Sequence, residues 1–208
     1  GDTRHDRVSE TVHNVVAVDG LADFVKDETV FIGGSTWPID EQFILPYINV
    51  SAEKLKFILA PHEVNDKHIK DIEKSLDVPY IKYSEIADGN VASARVLIID
   101  NIGMLSNLYQ YGHIAYVGGG FTGALHNILE PAAFGMPVIY GPKFDKFPEA
   151  DALIEVGGGF SITDGLDFVK RMAFLEDTFV VKIAAEVSRQ FVKTQAGASD
   201  TIVNSIWK

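Results

Sequence analysis

Short apolar runs alternate with segments of helical spacing along almost the whole chain, and that alternation constrains the fold more than any other feature. Residues 29–32, 56–60, 78–82, 95–100, 113–117, 137–140 and 160–162 read as strands. Between and after them, residues 37–48, 65–76, 104–109, 127–134, 164–176 and 178–194 have helical spacing. Pro38 suits the first turn of a helix, and Pro61, Gly135 and Pro137 stop elements where the pattern ends. Strands that are apolar throughout and separated by helices predict an α/β fold. Its form is a Rossmann-like, doubly wound, mostly parallel sheet with helices on both faces. A loop is expected around Asp88-Gly89-Asn90 and a closing helix over residues 199–207. No repeat, low-complexity tract or linker interrupts the 208 residues, so residues 1–208 are expected to form a single Rossmann-like domain.

Ligands of such sheets bind outside the carboxyl ends of the strands. The candidate segments are therefore residues 33–37, 61–63, 101–104, 118–127 and 141–143, which the fold would place on one rim. Composition narrows what that rim can hold. With 29 acidic against 18 basic residues the net charge is -11, which opposes a broad nucleic-acid face but not a local anion pocket. There is no cysteine, so disulfides, thiolate nucleophiles and thiolate metal sites are excluded. No apolar run approaches the roughly 18 to 20 residues of a membrane-spanning helix. The first residues lack both an initiating Met and a signal peptide's apolar core, and the chain is expected to be a piece of a longer protein.

The most suggestive stretch is Gly118-Gly119-Gly120-Phe121-Thr122-Gly123-Ala124-Leu125-His126-Asn127-Ile128-Leu129-Glu130. Glycines after a buried strand permit positive φ and close approach to a ligand. A helix starting near His126-Asn127 would aim free N–H groups at a phosphate, with Asn127 as its cap. Glu130 would accept the vicinal hydroxyls of a ribose. The spacing matches neither of the two familiar glycine-rich nucleotide loops, and a plain turn with a capping Asn and a solvated Glu is the competing reading.

Ser35 and Thr36 would either cap the next helix or offer hydroxyls to a sugar acid or phosphate. Trp37 reads as a packing anchor. His62 is either structural or a titratable partner for an anion. Lys143 offers a cation at the rim. His62 and His68 lack metal-ligand spacing, and no nucleophile elbow is present. Phe174, Phe179 and Phe191 read most simply as core.

Together these segments resemble one family. Ser35-Thr36-Trp37-Pro38 with Glu41, Pro61-His62, Gly103 with Leu105 and Tyr109, and Val117-Gly118-Gly119 occur in the order found in the 3-deoxy-D-manno-octulosonic acid (Kdo) transferases of lipopolysaccharide assembly. So do the block from His126 to Ala133, Gly135-Met136-Pro137-Val138 and Gly141-Pro142. The opening Gly1-Asp2-Thr3-Arg4 with Asp6-Arg7-Val8 looks like that family's segment between its two lobes.

The resemblance implies the C-terminal, donor-binding lobe of a GT-B glycosyltransferase that moves Kdo from CMP-Kdo to lipid A precursor. The acceptor-binding N-terminal lobe and its catalytic base would lie outside this chain, which alone should be inactive. The full-length protein would work at the cytoplasmic side of the inner membrane, with this part soluble. No cofactor, metal or nucleic acid is implied; CMP-Kdo is the substrate.

Residue by residue, the resemblance implies that Glu130 holds the ribose. Asn127 and the turn of Gly119, Gly120 and Phe121 face phosphate or Kdo, and Ser35 and Thr36 contact Kdo. Gly103 and Met104 lie against the cytidine. His62, His126 and Lys143 complete the expected donor-binding set. Many relatives have Arg-His where this chain has His62-Glu63, and Glu where it has Met104. The alternatives are another GT-B lobe, from a UDP-sugar transferase or epimerase, or a non-catalytic nucleotide-sensing module.

Overall fold

The apolar runs pair edge to edge in the computed structural model, which describes residues 3–87, 90–195 and 197. The strands are β1 (Thr29–Thr36), β2 (Leu55–Pro61), β3 (Tyr80–Lys82), β4 (Val96–Ile98), β5 (Ile114–Val117), β6 (Val138–Tyr140) and β7 (Gly159–Ser161). All neighbours are parallel, in the order β3-β4-β2-β1-β5-β6-β7. The helices are α1 (Thr3–His13), α2 (Leu21–Val25), α3 (Pro38–Val50), α4 (Asp66–Lys74), α5 (Leu105–Leu108), α6 (Leu129–Ala133), α7 (Pro148–Glu155), α8 (Gly165–Leu175) and α9 (Thr178–Gln195). The loop expected at Asp88 and Gly89 and the helix expected over residues 199–207 lie outside the described residues.

Successive residues of a strand face opposite sides, so a doubly covered sheet needs two cores. Phe31, Phe57, Leu59, Tyr116 and Ile139 point to one side, where they meet Ile44 and Ile48 of α3, Ile72 of α4 and Phe168 and Met172 of α8. Val30, Ile32, Ile58, Val117 and Val138 point to the other, against Val8 of α1, Leu129 of α6, Leu153 of α7 and Phe191 of α9. Both expected faces of helices are therefore present, and the sheet is parallel throughout.

The strand order also fixes where a crevice must open. From β1 the chain builds outward through β2 to β4 and β3, then returns to place β5 on the other flank of β1. The helices that follow β1 and β5 cover opposite faces, α3 one and α6 the other, so the switch point of the sheet lies at the adjoining carboxyl ends of these two strands.

Several boundaries differ from the sequence reading. β1 does not stop at Gly33 but runs to Thr36, because Gly33 and Gly34 make room for neighbours. A Cβ on Gly34 would lie 2.4 Å from the Tyr109 hydroxyl. α6 begins only at Leu129 and has five residues, so no long helix points its N-terminus at the rim. α1 and α2 were not expected; α1 packs on α6 and α9. Of the aromatics expected in the core, Phe191 is buried, while Phe174 and Phe179 are 47% and 73% exposed. Phe174 instead meets Phe160 and the Arg171 guanidinium at the surface.

Candidate functional site

The ends of β1 and β5 are held together by backbone. The Gly118 amide donates to the Gly34 carbonyl at 2.9 Å. At Ser35 the register slips, and the residue takes a left-handed φ of 51°, a conformation that a serine adopts only under constraint. Its hydroxyl makes no hydrogen bond among the described residues, so it is available to a ligand.

The glycine run serves this contact between loops. A Cβ on Gly118 would lie 2.0 Å from the Ser35 carbonyl oxygen, and one on Gly120 would lie 2.5 Å from the Gly141 amide nitrogen. Gly119 has φ 89° and would strike the Ala124 carbonyl. All three glycines are buried. The sequence reading placed Gly119 and Gly120 against a ligand; the structure uses them to draw three strand-end loops together. Phe121 is likewise turned inward, packing on Phe43.

Beneath Ser35 lie two buried carboxylates from the first turn of α3. Asp40 accepts the Tyr116 hydroxyl at 2.6 Å and the Trp37 amide at 2.9 Å, and also bonds the Gly119 amide. Burial pushes the Asp40 pKa up, against the opposing pull of those three donors. Glu41 accepts the Thr36 hydroxyl at 2.9 Å and pairs with His68 at 2.7 Å. Thr36 is thus fully buried and spoken for, which corrects its expected contact with a ligand. Ser35 alone of that pair faces the crevice.

Above the β1 end, three rings from three different segments stack. Trp37 lies over His62 with centroids 4.2 Å apart and planes 25° from parallel. His62 lies against His126 at 4.6 Å. Trp37 is therefore not only a packing anchor. Burial and the facing His62 push the His126 pKa below the ordinary histidine value. The His126 Nε2 is buried without a hydrogen-bond partner.

His126 also opens onto a cavity of about 350 Å³ lined by Arg4, Arg7, Val8, Thr11, Leu125, Asn127, Glu130, Phe147 and Glu149. That lies within the usual size of a small-molecule pocket, about 300–1,000 Å³. Glu130 accepts the Ser106 hydroxyl at 2.8 Å and the Asn127 side-chain amide at 3.0 Å. These two bonds orient the carboxylate and leave lone pairs for a further donor. Arg4 pairs with Glu149 at 2.7 Å. The Arg7 guanidinium forms no ion pair among the described residues. Asn127 does not cap a long helix, but its side chain accepts the Leu129 amide at 3.0 Å.

The remaining expected residues sit on the same rim. Lys143 is exposed and forms no ion pair among the described residues, while its amide donates to the Gly120 carbonyl. Gly103 is exposed with φ 91°, and Met104 is half-buried before α5. Beside them Ile102 is 87% exposed. No group of three or more His, Asp or Glu side chains among the described residues is placed to hold a metal ion. None of their helices is long and apolar enough to cross a membrane.

Sequence reasoning missed Asp40, Ser106, His68 and Arg7. Asp40 carried a usable signal, an acid in the first turn after Pro38, where carboxylates bond free amides. Ser106 and Arg7 carried none, since only the fold brings them to Glu130 and its cavity.

No family model matches the chain. A 3-deoxy-D-manno-octulosonic acid transferase of Chlamydophila psittaci is 31% identical over 156 residues, covering 73% of this chain and 35% of the relative. One from Chlamydia pneumoniae is 30% identical over 180 residues, covering 84% and 41%. The chain thus spans 35–41% of these relatives' length. Among solved structures, the C-terminal CMP-Kdo binding domain of WaaA from Acinetobacter baumannii shares the fold, with a TM-score of 0.71 at 23% identity. That match covers 92% of this chain and 99% of the other.

Proposed function

On the footing that this chain belongs to the family of Kdo transferases, we propose that it is the donor-binding lobe of an enzyme moving Kdo from CMP-Kdo to lipid A precursor. The observation that carries this reading is the rim cavity where Glu130, oriented by Ser106 and Asn127, lies with Arg7 and His126. A carboxylate that still has free lone pairs suits the paired hydroxyls of a ribose. A cation and an imidazole lining the same cavity suit the phosphate joined to it. The exposed Ile102, with Gly103 and the half-buried Met104, is the surface this reading gives to the base.

In the proposed reaction an acceptor hydroxyl displaces CMP from the anomeric carbon of Kdo. The bond from that carbon to the phosphate oxygen breaks, and CMP leaves with one more negative charge than the phosphodiester carried. Groups that strengthen their hold as this charge develops lower the barrier. Arg7, Lys143 and the rim imidazoles are the groups of this chain suited to that role. The hydroxyl's proton passes to a base on the acceptor-binding lobe, which this reading places outside the 208 residues. The full-length enzyme then acts at the cytoplasmic face of the inner membrane, and no cofactor takes part.

Calorimetry of the purified chain with CMP, UMP and AMP tests the reading. CMP is expected to bind best, and Glu130→Ala to weaken it by about tenfold or more, the loss of a charged hydrogen bond. A folded chain that binds no nucleotide, or prefers UMP or AMP, overturns it.

A further inference from the structure

His68, in the first turn of α4, does not line the rim cavity, yet its ring closes a circuit of hydrogen bonds around the ends of β1 and β2. The His62 amide donates to the Thr36 carbonyl at 2.9 Å, and the Thr36 hydroxyl donates to Glu41 Oε1 at 2.9 Å. His68 Nε2 lies 2.7 Å from Glu41 Oε2. His68 Nδ1 lies 2.9 Å from the Glu63 carbonyl oxygen, which returns the circuit to His62. The Asn65 side chain accepts the His68 amide at 3.0 Å and fixes the foot of the ring. Ser35 and Trp37 flank Thr36 in sequence, so the circuit holds three residues of the crevice without touching its opening.

Both partners of the ring can only accept: a backbone carbonyl carries no proton, and neither does an ionised carboxylate. Both ring nitrogens must therefore donate, and the geometry counts two ring protons on His68. A neutral imidazole has one N–H and one lone pair, and that lone pair would face an acceptor oxygen. Of the two bonds, the one to the carboxylate is charge-assisted and the stronger. Loss of a proton therefore breaks the bond to Glu63 first.

We propose that His68 is a positioning residue: with two ring protons it locks the ends of β1 and β2 in the geometry that binds the donor, and with one it frees the segment of His62 and Glu63. The inference rests on the donor-binding reading, but it concerns a residue outside the donor's contacts. The charges that face the ring are Glu41 of α3 and Glu63 after β2, both acidic. From β1 the neutral Thr36 approaches through Glu41. On α4 itself Asp66, Lys67, Lys70 and Asp71 are exposed, two of each sign, and water screens them. Burial pulls the His68 pKa down, but the two glutamates outweigh it and hold the value above 6.5. The lock is therefore complete below pH 6.5 and opens as pH rises through the raised value.

The test begins on the unaltered whole chain without ligand. Nitrogen NMR of the histidine rings from pH 6 to 9.5 should show two N–H groups on His68 at the low end and one at the high end. The backbone amides of Thr36, Glu63 and Val64 should shift through that same transition. Cytidine 5′-methylphosphate is then titrated in over the same range, because a phosphodiester keeps its charge where a phosphate monoester titrates near pH 6. Its affinity should fall about three- to tenfold across the His68 transition, the worth of about one hydrogen bond. His68→Gln should bind at the weak level throughout and lose that step.

A His68 ring with a single N–H at pH 6, or amides that stay still while the ring loses its proton, overturns the lock. So does an affinity that is flat across the transition, or a step that survives in His68→Gln. Amides that follow His68 in a chain that binds no cytidine probe at any pH keep the lock of the strand ends and overturn the donor-binding reading instead.

Discussion

The Tyr116 hydroxyl donates at 2.6 Å to Asp40, a carboxylate with no exposure to solvent. Tyr116 belongs to β5 and Asp40 to the first turn of α3, 76 residues apart in sequence. Through the further bonds of Asp40 to the amides of Trp37 and Gly119, one buried acid fixes both walls of the switch-point crevice.

Replacing Tyr116 with Phe leaves that buried acceptor one donor short. The expected loss is about 1–3 kcal/mol of folding stability, the cost of an unmet buried polar group. Urea unfolding of the Tyr116→Phe variant measures it. A change below a few tenths of a kcal/mol would show that the bond is not formed in solution.

The Glu41–His68 pair makes stability depend on pH. Burial pulls the His68 pKa down, but the Glu41 hydrogen bond and charge, with the Glu63 carbonyl and charge, outweigh it and leave the value above 6.5. The folded state therefore holds this proton more tightly than the unfolded state. The pair's contribution is full below pH 6.5 and is lost as pH rises through the raised His68 pKa. Melting curves of wild type and His68→Gln should converge above that value and separate below it. Parallel curves across the range would contradict the pairing.

Gly118→Ala and Gly120→Ala should both be costly, since the added methyl meets backbone rather than a movable side chain. Overpacking of this kind costs about 1–3 kcal/mol or more. By contrast Gly123→Ala meets nothing within 4 Å, so its cost is limited to the strain of φ 81°. Denaturant midpoints for the three variants should rank Gly123→Ala as the mildest.

Ser35 stores strain at φ 51°. Ser35→Gly relieves it and should raise folding stability by up to about 1 kcal/mol. The same change removes the free hydroxyl at the crevice, so the affinity for the Kdo-bearing donor should fall while that for CMP stays constant. Equal losses for both ligands would place the hydroxyl near the nucleotide instead.

Arg7→Ala should weaken CMP by about fivefold or more, as expected for loss of a charge-assisted contact. The difference between the proteins should shrink at high salt, because the site is open to water. Titrations at low and high sodium chloride decide this. An Arg7→Ala protein that binds CMP as well as wild type removes α1 from the site.

Much of the fold was legible because a sheet buried on both faces demands continuous apolar runs, and those are visible from residue 29 to residue 162. Asn65 and Pro38 marked helix starts through backbone chemistry that is local. What misled was chemistry with two outlets. Gly119 and Gly120 suit a close ligand and a close neighbouring loop equally, and Thr36 suits a ligand and Glu41 equally. The place of Glu130 and His126 on the rim was legible because they follow a strand end, while that of Ser106, 24 residues away from Glu130, was not.

By itself, then, the sequence determined the layering of the sheet and the rim on which a ligand could sit, since periodicity and strand ends are local properties. Only the tertiary structure decided which side chains face that rim. It buried Thr36 under Glu41, stacked Trp37, His62 and His126, and brought Arg7 of α1 into one cavity with Glu130. Those pairings join segments far apart in the chain. Their geometry follows from strand order and packing, which no spacing of residues encodes.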